Sequence, residues 1–178
     1  LYCPFSINAI SILPTFYYIP FLSIPFHSIP MAAAGFTDVL VAGLAPDGGL
    51  AVPSRLPALS PEQIEAWRPL GYAELATEVI GLFATDIPRE DLAGLTRAAY
   101  GEGRFPQPVV PVTGLDEVAD GLALVGLSEG PTMAFKDLAM QFLGQAIPYV
   151  LAKHGQVLNI LGATSGDTAS AAEHAFRG

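Results

Sequence analysis

Val157-Leu158-Asn159-Ile160-Leu161-Gly162-Ala163-Thr164-Ser165-Gly166-Asp167-Thr168 joins a short apolar run to a turn built of glycine and hydroxyl residues. Residues 157–161 are the strongest strand candidate in the chain, and a helix is expected to start near Ala169. Immediately upstream, residues 136–153 read as a helix with Phe142, Leu143, Ile147, Val150 and Leu151 on its apolar side. Pro148 is expected to kink that helix or to leave one carbonyl unpaired. Residues 109–112 and 122–125 are two further strand candidates. Strand, loop, helix, strand, loop, helix is the rhythm of a parallel sheet with crossover helices, and in such sheets ligands gather at the carboxyl ends of the strands. The fold class is therefore α/β.

The first half of the chain reads mainly as helices. Asp47-Gly48-Gly49 is a turn, because glycine accepts positive φ, and Val52-Pro53 continues as extended chain. Ser60-Pro61-Glu62-Gln63 opens a helix: serine caps the free amides, proline suits the first helical position and Gln63 completes a capping box. That helix stops near Pro69. Tyr72, Leu75, Ala76, Val79, Ile80 and Phe83 recur at helical spacing and predict one apolar face. A further helix is expected over residues 88–100, with Glu90 and Asp91 near its positive end. These stripes, like Trp67, read as core packing rather than as a ligand cage.

Composition removes several function classes. The 178 residues carry 8 Lys+Arg against 17 Asp+Glu, a formal charge of -9, which repels phosphate backbones and anionic lipid. Neither a nucleic-acid nor a membrane partner is expected, and the location is read as cytoplasmic. Cys3 has no second cysteine to pair with, and His27, His154 and His174 lack ligand spacing, so no metal site is expected. Residues 1–30 hold no charged residue but five prolines and seven of the 17 aromatics. Proline interrupts every helix there and no basic n-region is present, so the segment is neither a secretory signal nor a membrane span. It is read as a leader outside the fold, with Met31 at or near the start of the folded protein.

Two loops have the composition for ligand chemistry. Ser128-Glu129-Gly130-Pro131-Thr132-Met133-Ala134-Phe135-Lys136-Asp137 leads into a helix, and Lys136 is one of two lysines in the chain. A cation is unfavourable at a helix N-terminus, which favours the neutral amine that Schiff-base chemistry with an aldehyde requires. Gly130, Phe135 and Lys136 share part of a P-loop spacing. Phe135 and Asp137 stand where that motif needs glycine and Ser/Thr, so nucleotide binding is disfavoured. On local sequence alone, a surface ion pair between Lys136 and Asp137 is the ordinary alternative. The loop from Gly162 to Thr168 can cradle a carboxylate or phosphate with amides and hydroxyls, or Ser165 or Asp167 can simply cap the helix.

Three stretches together resemble the threonine synthases, pyridoxal-phosphate enzymes of fold type II. They are Gly43-Leu44-Ala45-Pro46-Asp47-Gly48-Gly49-Leu50 with Val52-Pro53, then Gly130 to Asp137 followed by Gln141-Phe142-Leu143-Gly144, and finally Asn159 to Thr168. The resemblance covers residues 36–178. It implies a helical N-terminal domain over 31–112 and the beginning of a parallel-sheet, cofactor-binding domain over 113–178, the chain being an N-terminal fragment. It further implies that Lys136 is the catalytic and cofactor lysine, and that Phe135 and Asp167 border pyridoxal phosphate. Thr164, Ser165, Gly166 and Thr168 are implied to receive the substrate carboxylate. The implied reaction converts O-phosphohomoserine and water into threonine and phosphate, with a phosphorylated amino acid as the small-molecule partner.

The chain departs from the family pattern at several points. Ala169 stands where glycine is usual, Ala51 replaces an aromatic, and the uncharged leader occupies the place of a short Ser-Thr-Arg-Gly segment. The family's later phosphate-holding loop and pyridine-nitrogen contact are not among these 178 residues. The chain by itself is accordingly expected to lack threonine-forming activity that a longer version has. A non-catalytic truncated product and a related fold-type-II enzyme with another amino-acid substrate are the alternatives.

Overall fold

Ser60 begins the first helix whose cause is fully visible in its residues. Its hydroxyl accepts the Gln63 amide at 3.2 Å and its own amide donates to Gln63 Oε1 at 3.3 Å, the reciprocal bonds that the Ser-Pro-Glu-Gln pattern predicts. The computed structural model describes residues 9–13 and 34–177. In chain order the elements are β1 (Ala9–Leu13), α1 (Phe36–Ala42), α2 (Pro61–Trp67), α3 (Tyr72–Gly81), α4 (Arg89–Tyr100), β2 (Val112–Gly114), β3 (Ala123–Val125), α5 (Asp137–His154), β4 (Asn159–Ala163) and α6 (Asp167–Phe176). Helix α1 is not foreshadowed by the sequence reading. Between α1 and α2, the Gly49 amide donates to Asp47 Oδ1 at 2.9 Å and Gly48 takes φ 82°, closing the expected turn.

Helices α3 and α4 pack antiparallel, with the Thr77 and Thr96 hydroxyls 2.6 Å apart in the buried seam. The expected stripe is rotated as a result. Val79 and Phe83 are substantially exposed, while Thr77 is buried and Ala73, Ala76 and Ile80 pack against the core. Small and hydroxyl side chains permit the close approach of the two helices, which hydrophobicity alone does not register. The core continues through Ala84, Ile87, Leu92, Ala99, Tyr100, Phe105 and Val109 to Phe142 and Ala146 of α5. Tyr72, Tyr100 and Phe105 meet there, with ring centroids 5.1 and 5.9 Å apart. Helix α2 contributes no buried residue.

The strands pair differently from the expected parallel arrangement. The order β3, α5, β4 is that of a crossover unit, yet β3 pairs antiparallel with β2, and β4 pairs antiparallel with β1. Among the described residues there is no parallel pair. A short connection between β2 and β3 makes a hairpin the nearest hydrogen-bonding solution, and α5 separates β4 from both. Of the leader set apart in the sequence reading, residues 9–13 are described and lie along β4 with Ser11 opposite Leu161; the remainder of residues 1–30 lies outside the described residues. The boundary drawn at residue 112 falls on the first residue of β2.

Two measurements check this packing. Thr96→Val removes the seam bond while the Thr77 hydroxyl keeps its 3.0 Å bond to the Ala73 carbonyl, and is expected to lower unfolding free energy by about 0.5–1.5 kcal/mol, with Thr77→Val/Thr96→Val costing less than the sum, by urea denaturation. At the start of α1, Asp86 accepts from the Thr37 amide at 2.9 Å and hydroxyl at 2.6 Å. Burial pushes its carboxyl up, but the Thr37 bonds outweigh this and hold it below its ordinary 3.8. The tie is therefore intact above that value and is lost as pH falls through the depressed one. Asp86→Asn is expected to flatten the acid limb of a stability profile recorded by circular dichroism.

Candidate active site

Helices α5 and α6 pack side by side in the same direction. Met140 clusters with Ala171 and Ala172, Gln141 Nε2 lies 3.3 Å from His174 Nδ1, and Gly144 faces Ala175. Each contact advances together along both helices, so their N-termini lie at one end. A Cβ on Gly144 would sit 2.3 Å from the Ala175 carbonyl oxygen, which is why only glycine permits this spacing. The two loops singled out in the sequence thus feed neighbouring helix N-termini, where two helix dipoles present their positive ends.

On the first loop, Lys136 immediately precedes α5 with helical φ −63° and ψ −21°. It is half-buried, and its Nζ lies 4.9 Å from the centroid of the Phe135 ring. The ion pair with Asp137 that local sequence allows is not formed. Asp137 is only 1% exposed and accepts instead from the Thr132 amide at 2.8 Å and from the Thr132 hydroxyl at 2.9 Å. Among the described residues the ion pairs are Arg68–Glu65, Arg89–Glu78 and Lys153–Asp91, and Lys136 enters none. The first amides of α5 are already taken: Asp137 donates to Ala134, Leu138 to Phe135, and Ala139 and Met140 to the Lys136 carbonyl. This loop presents an amine and not an anion cradle.

The second loop has the complementary character. Thr164, rather than Ser165 or Asp167, provides the side-chain cap: its hydroxyl oxygen accepts from the Gly166 amide at 3.1 Å and the Ala169 amide at 3.0 Å. Gly166 turns the chain at φ 130°, open only to glycine without strain. Helix α6 starts at Asp167, two residues earlier than expected, so Ala169 is already helical and suits its position better than glycine. The amides of Asp167 and Thr168 meet no acceptor among the described residues. Thr168 is 6% exposed, and its Oγ1 is the one buried side-chain oxygen or nitrogen there without a partner. A buried hydroxyl beside free helix-start amides fits an anionic ligand. Ser165 and Asp167 are exposed on the same turn.

The family model described as threonine synthase N terminus matches residues 30–100. The chain is thus similar to the N-terminal part of the threonine synthases. Threonine synthase from Corynebacterium glutamicum is 51% identical over 150 residues, covering 82% of this chain and 31% of that protein. The Methylobacillus glycogenes threonine synthase is 46% identical, covering 82% and 32% respectively. The pyridoxal-phosphate-bound threonine synthase of Brucella melitensis superposes with a TM-score of 0.71 at 41% identity, over 80% of this chain and 30% of that one. The chain therefore spans about a third of the length of the threonine synthases it matches.

Sequence reasoning found both loops but missed two residues that shape them. Thr132 was legible only as a member of its loop, although a hydroxyl five residues before an acid at a helix start is a recognisable closing pair. Gly144 was noted within a matching stretch, while its role as the point of helix contact needed α6 in place. Gly144→Ala is expected to destabilise the fold by about 1–3 kcal/mol and to loosen α6 from α5, read as lower Tm and faster amide exchange at Ala171 and Ala172.

Proposed function

We propose that these residues form the amine-bearing part of a threonine synthase active site in a protein of the relatives' full length. It would convert O-phosphohomoserine and water to threonine and phosphate in the cytoplasm. The observation that carries this reading is the pairing, at one end of two parallel helices, of the Lys136 amine, which enters no ion pair, with the unpartnered buried hydroxyl of Thr168. Residues 31–112 are assigned to the N-terminal domain and 113–178 to the opening of the cofactor domain. No helix among the described residues is long and apolar enough to cross a membrane.

These residues fit pyridoxal phosphate. Lys136 would hold its aldehyde carbon, the Phe135 side chain would flank it and Asp167 would border its ring oxygen. When bound, that group supplies an electrophilic carbon for amines and a ring that takes up negative charge from the substrate's Cα. The chain's own residues do the rest. With the cofactor's aldehyde carbon given over to the substrate's amino group, the Lys136 amine would be free to take protons from Cα and Cβ and to deliver one to Cγ, which becomes the methyl group, and one back to Cα. The free amides of Asp167 and Thr168, with the hydroxyls of Thr168 and Ser165 and the turn at Gly166, would hold the α-carboxylate. Thr164 fixes that turn through its two amide bonds and retains a hydroxyl proton to donate. Departure of the γ-phosphate and attack of water at Cβ would complete the exchange.

A chimera carrying residues 34–177 in place of the matching segment of the Corynebacterium glutamicum relative tests the proposal by phosphate release from O-phosphohomoserine. Lys136→Ala is expected to reduce kcat by at least about a hundredfold, the scale of a lost proton-transfer group. Thr168→Val is expected to raise KM about tenfold, because a hydrogen bond to a charged carboxylate is lost. A chimera in which Lys136→Ala retains full turnover would refute the assignment.

A further inference from the structure

A carboxylate that is 1% exposed and engages no cation is an expensive group to bury, and Asp137 is such a group. All its side-chain bonds go to one residue. The Thr132 amide donates to Oδ2 at 2.8 Å, and the Thr132 hydroxyl lies 2.9 Å from Oδ1 and 3.0 Å from Oδ2. Charge-assisted bonds of this kind offset part of the desolvation and close the loop from residue 132 to 137 into a ring. Inside the ring, Met133 is held at φ 56°, the one non-glycine residue at positive φ among the described residues. Such a conformation persists only where its surroundings over-determine it. Gly130 forms the floor: a Cβ there would lie 2.4 Å from the Asp137 Cβ and 2.5 Å from its Oδ2.

Lys136 lies within this ring, one residue before the carboxylate. Its downstream side is fixed because its carbonyl accepts from Ala139 at 3.1 Å and Met140 at 2.9 Å. Its upstream side is held by the Thr132–Asp137 closure, by the bond from the Met133 amide to the Gly130 carbonyl at 3.0 Å, and by the bonds that the Asp137 and Leu138 amides donate to the Ala134 and Phe135 carbonyls. Occupied by Thr132, the Asp137 carboxylate also forms no ion pair with the neighbouring Lys136 side chain.

We propose that Asp137, through its closure of the loop with Thr132, is a positioning residue that sets the direction in which Lys136 presents its amine. This deepens the reading of Lys136 as the cofactor lysine and rests on it.

The chain's two lysines make the test self-calibrating. Lys153 lies at the far end of α5, bonded to the Tyr149 hydroxyl and paired with Asp91, and serves as the internal reference. The 178-residue chain is treated with pyridoxal phosphate and borohydride, and the Lys136:Lys153 labelling ratio is read by peptide mapping. In the unsubstituted chain Lys136 is expected to dominate. Asp137→Asn and Thr132→Val are expected to lower the ratio by about tenfold or more, on the scale of misplacing a reacting group by an ångström, and Thr132→Ser to restore it to within about twofold. In the charge-neutral Thr132→Val variant the pH midpoint of Lys136 labelling should stay fixed while its plateau rate falls. An unchanged ratio in a folded Thr132→Val chain, or a moved midpoint with an unchanged plateau, overturns positioning. Absence of Lys136 labelling in the unsubstituted chain overturns the reading of Lys136 itself, and the positioning role with it.

Discussion

The approach of Gly144 to Ala175 is the contact on which the site depends. Two parallel helices can lie this close only where one of them offers no side chain, and at Gly144 any Cβ would meet the Ala175 backbone. Because the helices run in the same direction, the contact fixes more than a distance. It brings the start of α5, with its amine, to the same end of the pair as the start of α6, with its unoccupied amides. Had α6 packed antiparallel, Lys136 and Thr168 would lie at opposite ends, separated by roughly the length of α6, about 15 Å.

The polar groups of the interior divide along the same line. Thr77 and Thr96 satisfy one another between α3 and α4, Tyr100 donates to the Leu138 carbonyl at 2.6 Å, and Asp137 is saturated by Thr132. Burial drives the Tyr100 hydroxyl's pKa well above its ordinary value, helped by neighbouring Tyr72, so it remains a donor throughout the physiological range. These bonds hold elements together. Thr168 alone among the described buried side chains keeps an unspent hydroxyl, and it does so where the helix amides are also free. Structural positions complete their hydrogen bonding internally, whereas a binding position leaves some for the ligand.

Much of this was legible in the residues themselves. Ser60 with Gln63, the Asp47-Gly48-Gly49 turn, and helices α3 to α6 follow from capping, turn and periodicity rules that act over a few positions. The two loops stood out because glycine and hydroxyls cluster there between regular elements. What escaped depended on distant partners. The rotation of the α3 face follows from Thr77 meeting Thr96, nineteen residues away. Strand pairing escaped too, because β4 and its partner β1 lie at opposite ends of the sequence. Local composition identifies a strand but not its neighbour, and the choice of Thr164 as cap over Ser165 or Asp167 was likewise set by the turn's geometry.

The antiparallel pair α4 and α5 is tied near both ends, by Tyr100 to Leu138 at one and by Tyr149 to Asp91 at the other. Two anchors at opposite ends suppress both sliding and rotation, so the pair behaves as one stiff lever carrying α3 on one flank and α6 on the other. Phe105 and Val109 pin the start of the intervening chain into the core, while every residue of β2 and β3 is exposed. The core thus rests on the helices, and the β2–β3 hairpin adds no buried residue to it.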